Sequence, residues 1–155
     1  MRITLIITLL CCLLPLAGKT QHVPGNTTAS WKYEWKKVSA DEFDLVITCT
    51  LQEGYHIYST QEVKDQIPIA TTITFEKSAG YQTEGGISES NNRIERYDST
   101  AEMTLLFFEK TATFTQRIKL LQDQAVVKAT VNYMTCNNRM CIPPSDEIIT
   151  AELKK

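Results

Sequence analysis

Two cysteines with four residues between them, Cys136 and Cys141, carry the most reactive chemistry in this 155-residue sequence, inside the run VNYMTCNNRMCIPP at 131–144. Residues 127–133 alternate apolar and polar ahead of the pair, and 147–153 alternate again behind it, as half-buried strands do. The cysteines therefore belong at the tip of a strand pair. Antiparallel neighbours at that spacing can bring their Cα atoms within the roughly 4.4–6.8 Å that a disulfide spans, and the sequence predicts a reversible Cys136–Cys141 bond. Arg139 lies between them, a cation that favours the thiolate on which exchange depends.

Two other chemistries fit the same residues. Met134, Cys136, Met140 and Cys141 place four soft sulfur atoms close together, a set suited to Cu(I). Alternatively, the disulfide is a permanent staple in an immunoglobulin-like binding module. A ring this short contributes only about 2 kcal/mol in the chain-entropy description, and a domain of this size scarcely depends on it. No Ser/His/Asp arrangement, phosphate-cradling glycine loop or His/carboxylate cluster is evident in the sequence.

The N-terminus states where the chain goes. Arg2, an apolar run over 3–14, and small residues at Ala17 and Gly18 form a secretory signal peptide over 1–20, too short for a membrane span of about 20 residues. Cys11 and Cys12 are discarded with it, and the mature chain is expected not to insert into a membrane. Removal of Arg2 and Lys19 deepens the formal charge from −2 to −4, which argues against nucleic acid as a partner. Export implies an oxidising compartment, where Cys49, Cys136 and Cys141 make an odd set. Cys49 falls on the apolar face of its strand and reads as a small buried hydrophobe.

Positioning the pair falls to a single domain over 31–155, after a flexible leader at 21–30 rich in polar residues. Strands are predicted over 31–38, with Trp31, Tyr33 and Trp35 on one face, and over 43–51, with Phe43, Leu45, Ile47, Cys49 and Leu51 inward. Gly54 turns the chain into a short extended piece at 55–58. Ser59 and Glu62 could cap a helical turn that ends at Pro68. A strand at 71–76, a long loop at 78–98, a hairpin of 102–108 with 112–121, and strands at 126–134 and 147–153 complete the set. Phe107, Phe114, Ile118 and Leu120 are core candidates. The class is all-β, an immunoglobulin-like sandwich of about seven to eight strands.

Three stretches in order carry a resemblance: Glu-Gly-Tyr-His-Ile-Tyr-Ser at 53–59, Phe-x-Gln at 114–116, and Tyr133-x-x-Cys136-x4-Cys141-x-Pro143-Pro144. Over 31–153 the chain resembles the N-terminal domain of the DsbD thiol:disulfide interchange proteins. The resemblance implies an immunoglobulin-like periplasmic domain, acting without a cofactor as a thiol:disulfide oxidoreductase-type relay. Electrons would come from thioredoxin-like proteins or a DsbD-like membrane donor and pass to oxidised periplasmic proteins. It implies that Cys141 forms the mixed disulfide and Cys136 resolves it, with His56 and Tyr58 beside the pair. His56 could then shuttle a proton to a departing thiolate. Full-length family members continue into membrane and thioredoxin domains, whereas this sequence stops at Lys155 and is expected to work with separate partners. The family shields its cysteines with an aromatic-tipped cap loop; the matching stretch at 86–98 has no Phe, and Tyr97 is its one aromatic residue.

Overall fold

The computed structural model describes residues 27–61, 70–99 and 102–155. All regular structure there is extended. The strands are β1 (Ala29–Lys37), β2 (Glu42–Leu51), β3 (His56–Tyr58), β4 (Thr72–Phe75), β5 (Tyr81–Glu89), β6 (Ile94–Asp98), β7 (Met103–Glu109), β8 (Thr111–Leu120), β9 (Gln124–Cys136) and β10 (Cys141–Lys154). They form two sheets, β1-β2-β8-β5 and β10-β9-β3-β7-β6, with β4 also paired to β9. Every pairing is antiparallel. Among the described residues no helix is long and apolar enough to cross a membrane.

Alternation builds the core. Leu45, Ile47, Cys49 and Leu51 of β2 and Ala112 and Phe114 of β8 face Ile57, Phe108, Ala129, Val131, Tyr133 and Ile149 of the other sheet. A second cluster, with Phe43, Ile118, Leu120 and Val127, continues the core toward the far end. Both arise because a strand with one buried face places every second side chain inward.

The structure corrects the sequence reading in three places. Residues 78–98 are not a loop: they supply β5 and β6, which raises the strand count among the described residues to ten. Neither strand announces itself, since β5 carries Gly85 and Gly86 at its middle and β6 is an exposed edge. Gln116, buried opposite that glycine pair, donates from Nε2 to the Glu84 and Arg117 carbonyls at 2.9 and 3.0 Å, satisfying the backbone where the β5 register shifts. The hairpin of 102–108 with 112–121 is also not formed. β7 and β8 are real, but Lys110, at φ 64°, passes the chain from one sheet to the other. Finally, Ala29 and Ser30 begin β1 instead of ending the leader. The signal peptide and the helical turn before Pro68 lie outside the described residues.

Candidate functional site

Cys136 ends β9 and Cys141 begins β10, directly opposite each other in the ladder, with Cα atoms 4.0 Å apart and the sulfurs joined. This is closer than the separation expected from sequence. Asn137 closes the four-residue connection: its N–H donates to the Met140 carbonyl at 2.9 Å, and its Oδ1 accepts from the Arg139 and Met140 N–H groups at 2.8 and 3.0 Å. That is the side-chain mimicry of a turn for which asparagine is suited. Sequence reasoning passed over Asn137, although an Asn directly after a strand is a turn signal.

The pair lies on the sheet face turned away from the sandwich core. Along β9 the odd-numbered residues, from Ala125 to Thr135, point inward and are buried. Cys136 therefore points outward. On β10 the inward residues are also odd, as buried Ile149 and Leu153 show. Straight continuation would turn Cys141 into the core. Instead the register shifts between Ile142 and Ser145: Ile142 faces Thr135 and Ser145 faces Tyr133, so Pro143 and Pro144 together oppose Met134 alone. A one-residue bulge reverses the alternation, and Cys141 comes out facing Cys136. β10 is an edge strand, where the missing proline N–H groups break no ladder.

The two sulfur-bearing residues differ in environment. Cys136 is 1% exposed, packed with Tyr58 and Phe107 and flanked by Met134 and Leu105. Cys141 is exposed. Thr135, beneath the site, is held to Thr28 by a buried hydroxyl–hydroxyl hydrogen bond of 2.7 Å.

β3 brings in the expected neighbours. His56 faces Cys136 on one side and Glu109 on the other, so Cys141, Cys136, His56 and Glu109 make one row across the sheet. His56 is buried; its ring centroid is 5.0 Å from that of Phe107 and 5.3 Å from that of Tyr58, and Nε2 lies 3.4 Å from the Tyr58 hydroxyl. Burial first, then the nearby Arg96 charge, pulls the His56 pKa down, against an opposing pull from Glu109. Burial pushes the Tyr58 phenol up. Arg96 itself stacks over Phe107, 4.7 Å from the ring centre. Just past β3, Ser59 Oγ and the Thr60 N–H donate to the Glu89 carboxylate at 2.8 and 2.6 Å, which pins the end of β3 to β5.

The remaining sequence candidates separate. Arg139 and Met140 are exposed at the tip, with Arg139 in a small cleft beside Glu53, Gly54 and Tyr55. Tyr133 points to the opposite face, into the core, where its ring meets Trp31 edge-on at 4.8 Å; it supports the strand, not the sulfurs. The stretch 86–98 is strand, and Tyr97 is 64% exposed on the edge. Among the described residues no group of three or more His, Cys, Asp or Glu is placed to hold a metal.

Cys49 is buried in the core, and burial pushes its thiol up to about 12. It is expected to remain unalkylated at pH 8 in the reduced, folded protein and to react once the protein is denatured. Mass analysis of the peptide carrying Cys49 checks this, and labelling under native conditions would contradict it.

A facing cysteine pair, one half buried and the other exposed, is equipped for thiol–disulfide exchange. Comparison with known proteins agrees. A protein-family model described as "Thiol:disulfide interchange protein DsbD, N-terminal" matches residues 26–153. Among solved structures, the N-terminal periplasmic domain of ScsB from Proteus mirabilis is similar at 16% identity and a TM-score of 0.58, covering 81% of this chain and 46% of that one. The chain thus spans less than half the length of that protein. The reduced N-terminal domain of DsbD from Neisseria meningitidis is similar at 16% identity and a TM-score of 0.53, covering 81% of this chain and 86% of that one. At such identity the likeness shows the fold, the immunoglobulin-like sandwich expected from sequence. No curated protein matches the sequence.

Proposed function

The chain belongs to the DsbD N-terminal family of thiol:disulfide interchange proteins, and from that premise we propose that it is an exported electron relay working through a reversible Cys136–Cys141 disulfide. The observation that carries this reading is the unequal exposure of two facing cysteines. In the reduced form the exposed Cys141, as thiolate, attacks a disulfide in an oxidised protein. One partner sulfur leaves as a thiolate and the other is held in a mixed disulfide. Cys136 then attacks the Cys141 sulfur, releases the second partner thiol, and closes the ring. Two electrons have passed to the partner. A thioredoxin-like dithiol or a DsbD-like membrane donor restores the reduced form by the reverse steps, and no cofactor takes part.

Arg139 at the exposed tip favours the Cys141 thiolate. Access at that tip supports partners that present a sulfur from their own surface. The ScsB domain is described as periplasmic, and the signal-like N-terminus of this sequence fits the same compartment.

The reduction potential tests the reading. The pair is equilibrated in glutathione buffers, alkylated and weighed. A potential above roughly −250 mV is expected, in the range of exchangeable relays; one below about −300 mV, where structural disulfides lie, would make the bond a staple.

A further inference from the structure

Ring closure is the step that the surroundings of Cys136 make difficult. The attacking species must be a thiolate, yet this sulfur-bearing residue is 1% exposed among Tyr58, Phe107, Met134 and Leu105, and apolar burial disfavours the charged form. The group directly across the ladder is His56. Opposed residues on one face of an antiparallel pair carry Cβ atoms about 4.5–5.5 Å apart, within reach of an imidazole and a thiol. Resting on the relay reading above, we propose that His56 is the base that takes the Cys136 proton during ring closure and returns it to the departing partner sulfur.

The step balances. Cys136 Sγ–H gives its proton to the neutral imidazole as the sulfur lone pair forms a bond to Cys141 Sγ. The bond between Cys141 and the partner sulfur breaks, and its electron pair leaves with the partner. The partner thiolate then takes the proton from the imidazolium, which regenerates neutral His56. When the protein is reduced, the same ring works in reverse and protonates Cys136 as it leaves.

The surroundings suit a base. Burial and the Arg96 charge hold His56 neutral near pH 7. Nε2–H can donate to the Tyr58 hydroxyl, 3.4 Å away, leaving Nδ1 with the free lone pair. His56 also lines a cleft of about 500 Å³ with Gln52, Glu53, Glu109, Lys110 and Asn138. The charged and titratable groups facing it are Cys136 and Cys141 from β9 and β10, Glu109 from β7, Arg96 from β6 and Tyr58 on its own strand, with Glu53 and Lys110 at the cleft.

Rapid mixing of the reduced protein with oxidised glutathione separates the steps. Acid-quenched samples weighed over time give the rate of the Cys141–glutathione adduct forming and the rate of its closing to the ring. In His56→Gln the first rate should stay within twofold, while closure at pH 7 slows at least tenfold, in keeping with the 10²–10⁴-fold typical of positioned bases. Wild-type closure should level off above the imidazole pKa; in the variant it should keep climbing into the thiol range. His56→Phe, which preserves ring packing against Phe107, should behave like His56→Gln. Closure with the wild-type rate and pH profile in both variants would remove His56 from the step and leave the relay standing. Formation of neither the Cys141–glutathione adduct nor the ring would sink the relay, and this step with it.

Discussion

Cys136→Ser protein is expected to accumulate as covalent conjugates with disulfide-bearing exported proteins, and Cys141→Ser protein to form almost none. The difference should exceed tenfold on non-reducing gels, with conjugates that disappear on adding dithiothreitol. Exchange requires an attacking sulfur to reach a partner sulfur in line, so access matters as much as thiolate character. Cys141 is exposed at a strand tip, whereas Cys136 is shut beneath it. With Ser at 136 the mixed disulfide on Cys141 forms but meets no resolving thiol. With Ser at 141 the remaining thiol is buried on an apolar face. Because a buried hydroxyl at 136 left without a partner costs about 1–3 kcal/mol, Cys136→Ala serves as the control that keeps the result interpretable. Equal trapping through both cysteines would overturn the assignment of roles.

The sequence made the reactive pair and most of its scaffold readable for a plain reason: one face of each long strand is buried, so residues such as Leu45, Ile47, Cys49 and Leu51 recur at every second position. It did not say which strand lies beside which. β7 and β8 read as a hairpin because two alternating runs around a three-residue gap look alike whether the chain folds back or crosses between sheets; here the chain crosses, at left-handed Lys110. β5 and β6 were invisible because edge strands with an exposed face carry little alternation. Phe107 shows the same limit at a single residue. It was rightly expected to be buried, yet it lies with Cys136 on the outer face, while its neighbour Phe108 fills the core between the sheets.

His56 illustrates a different limit. Its place beside the pair was inferred from resemblance alone, since the pairing of β3 with β9 joins residues far apart in sequence. What the sequence could not supply is the row in which His56 directly faces Cys136 with Glu109 on its other side. Tyr133 went the opposite way: a member of the same motif, three residues before Cys136, it faces the core because three is an odd step along a strand.

The same parity argument predicts the consequence of removing one proline. Deleting Pro144 leaves one residue where two now oppose Met134, so the register from Ser145 onward would run unbroken to Cys141. Cys141 would then stand three residues before inward-facing Ser145, an odd step that keeps its side chain outward and opposite Cys136. The single deletion is therefore expected to keep the disulfide. Deleting Pro143 and Pro144 together makes the step even: Ile142 comes to oppose Met134, and Cys141 comes to oppose Thr135 with its side chain turned into the core. The double deletion is expected to fold, because Ile149 and Leu153 keep their partners on β9, but to lack the disulfide. Under non-reducing, denaturing conditions the protein lacking residues 1–20 should then show three alkylatable thiols, where the wild type and the single deletion show Cys49 alone. Replacing both prolines by Ala keeps the residue count and should retain the bond, which separates the count from proline itself as the cause. Retention of the Cys136–Cys141 bond after the double deletion would mean that the Asn137–Met140 connection absorbs the change. The residue count between Cys141 and Ser145 would then not be what sets the facing of the pair.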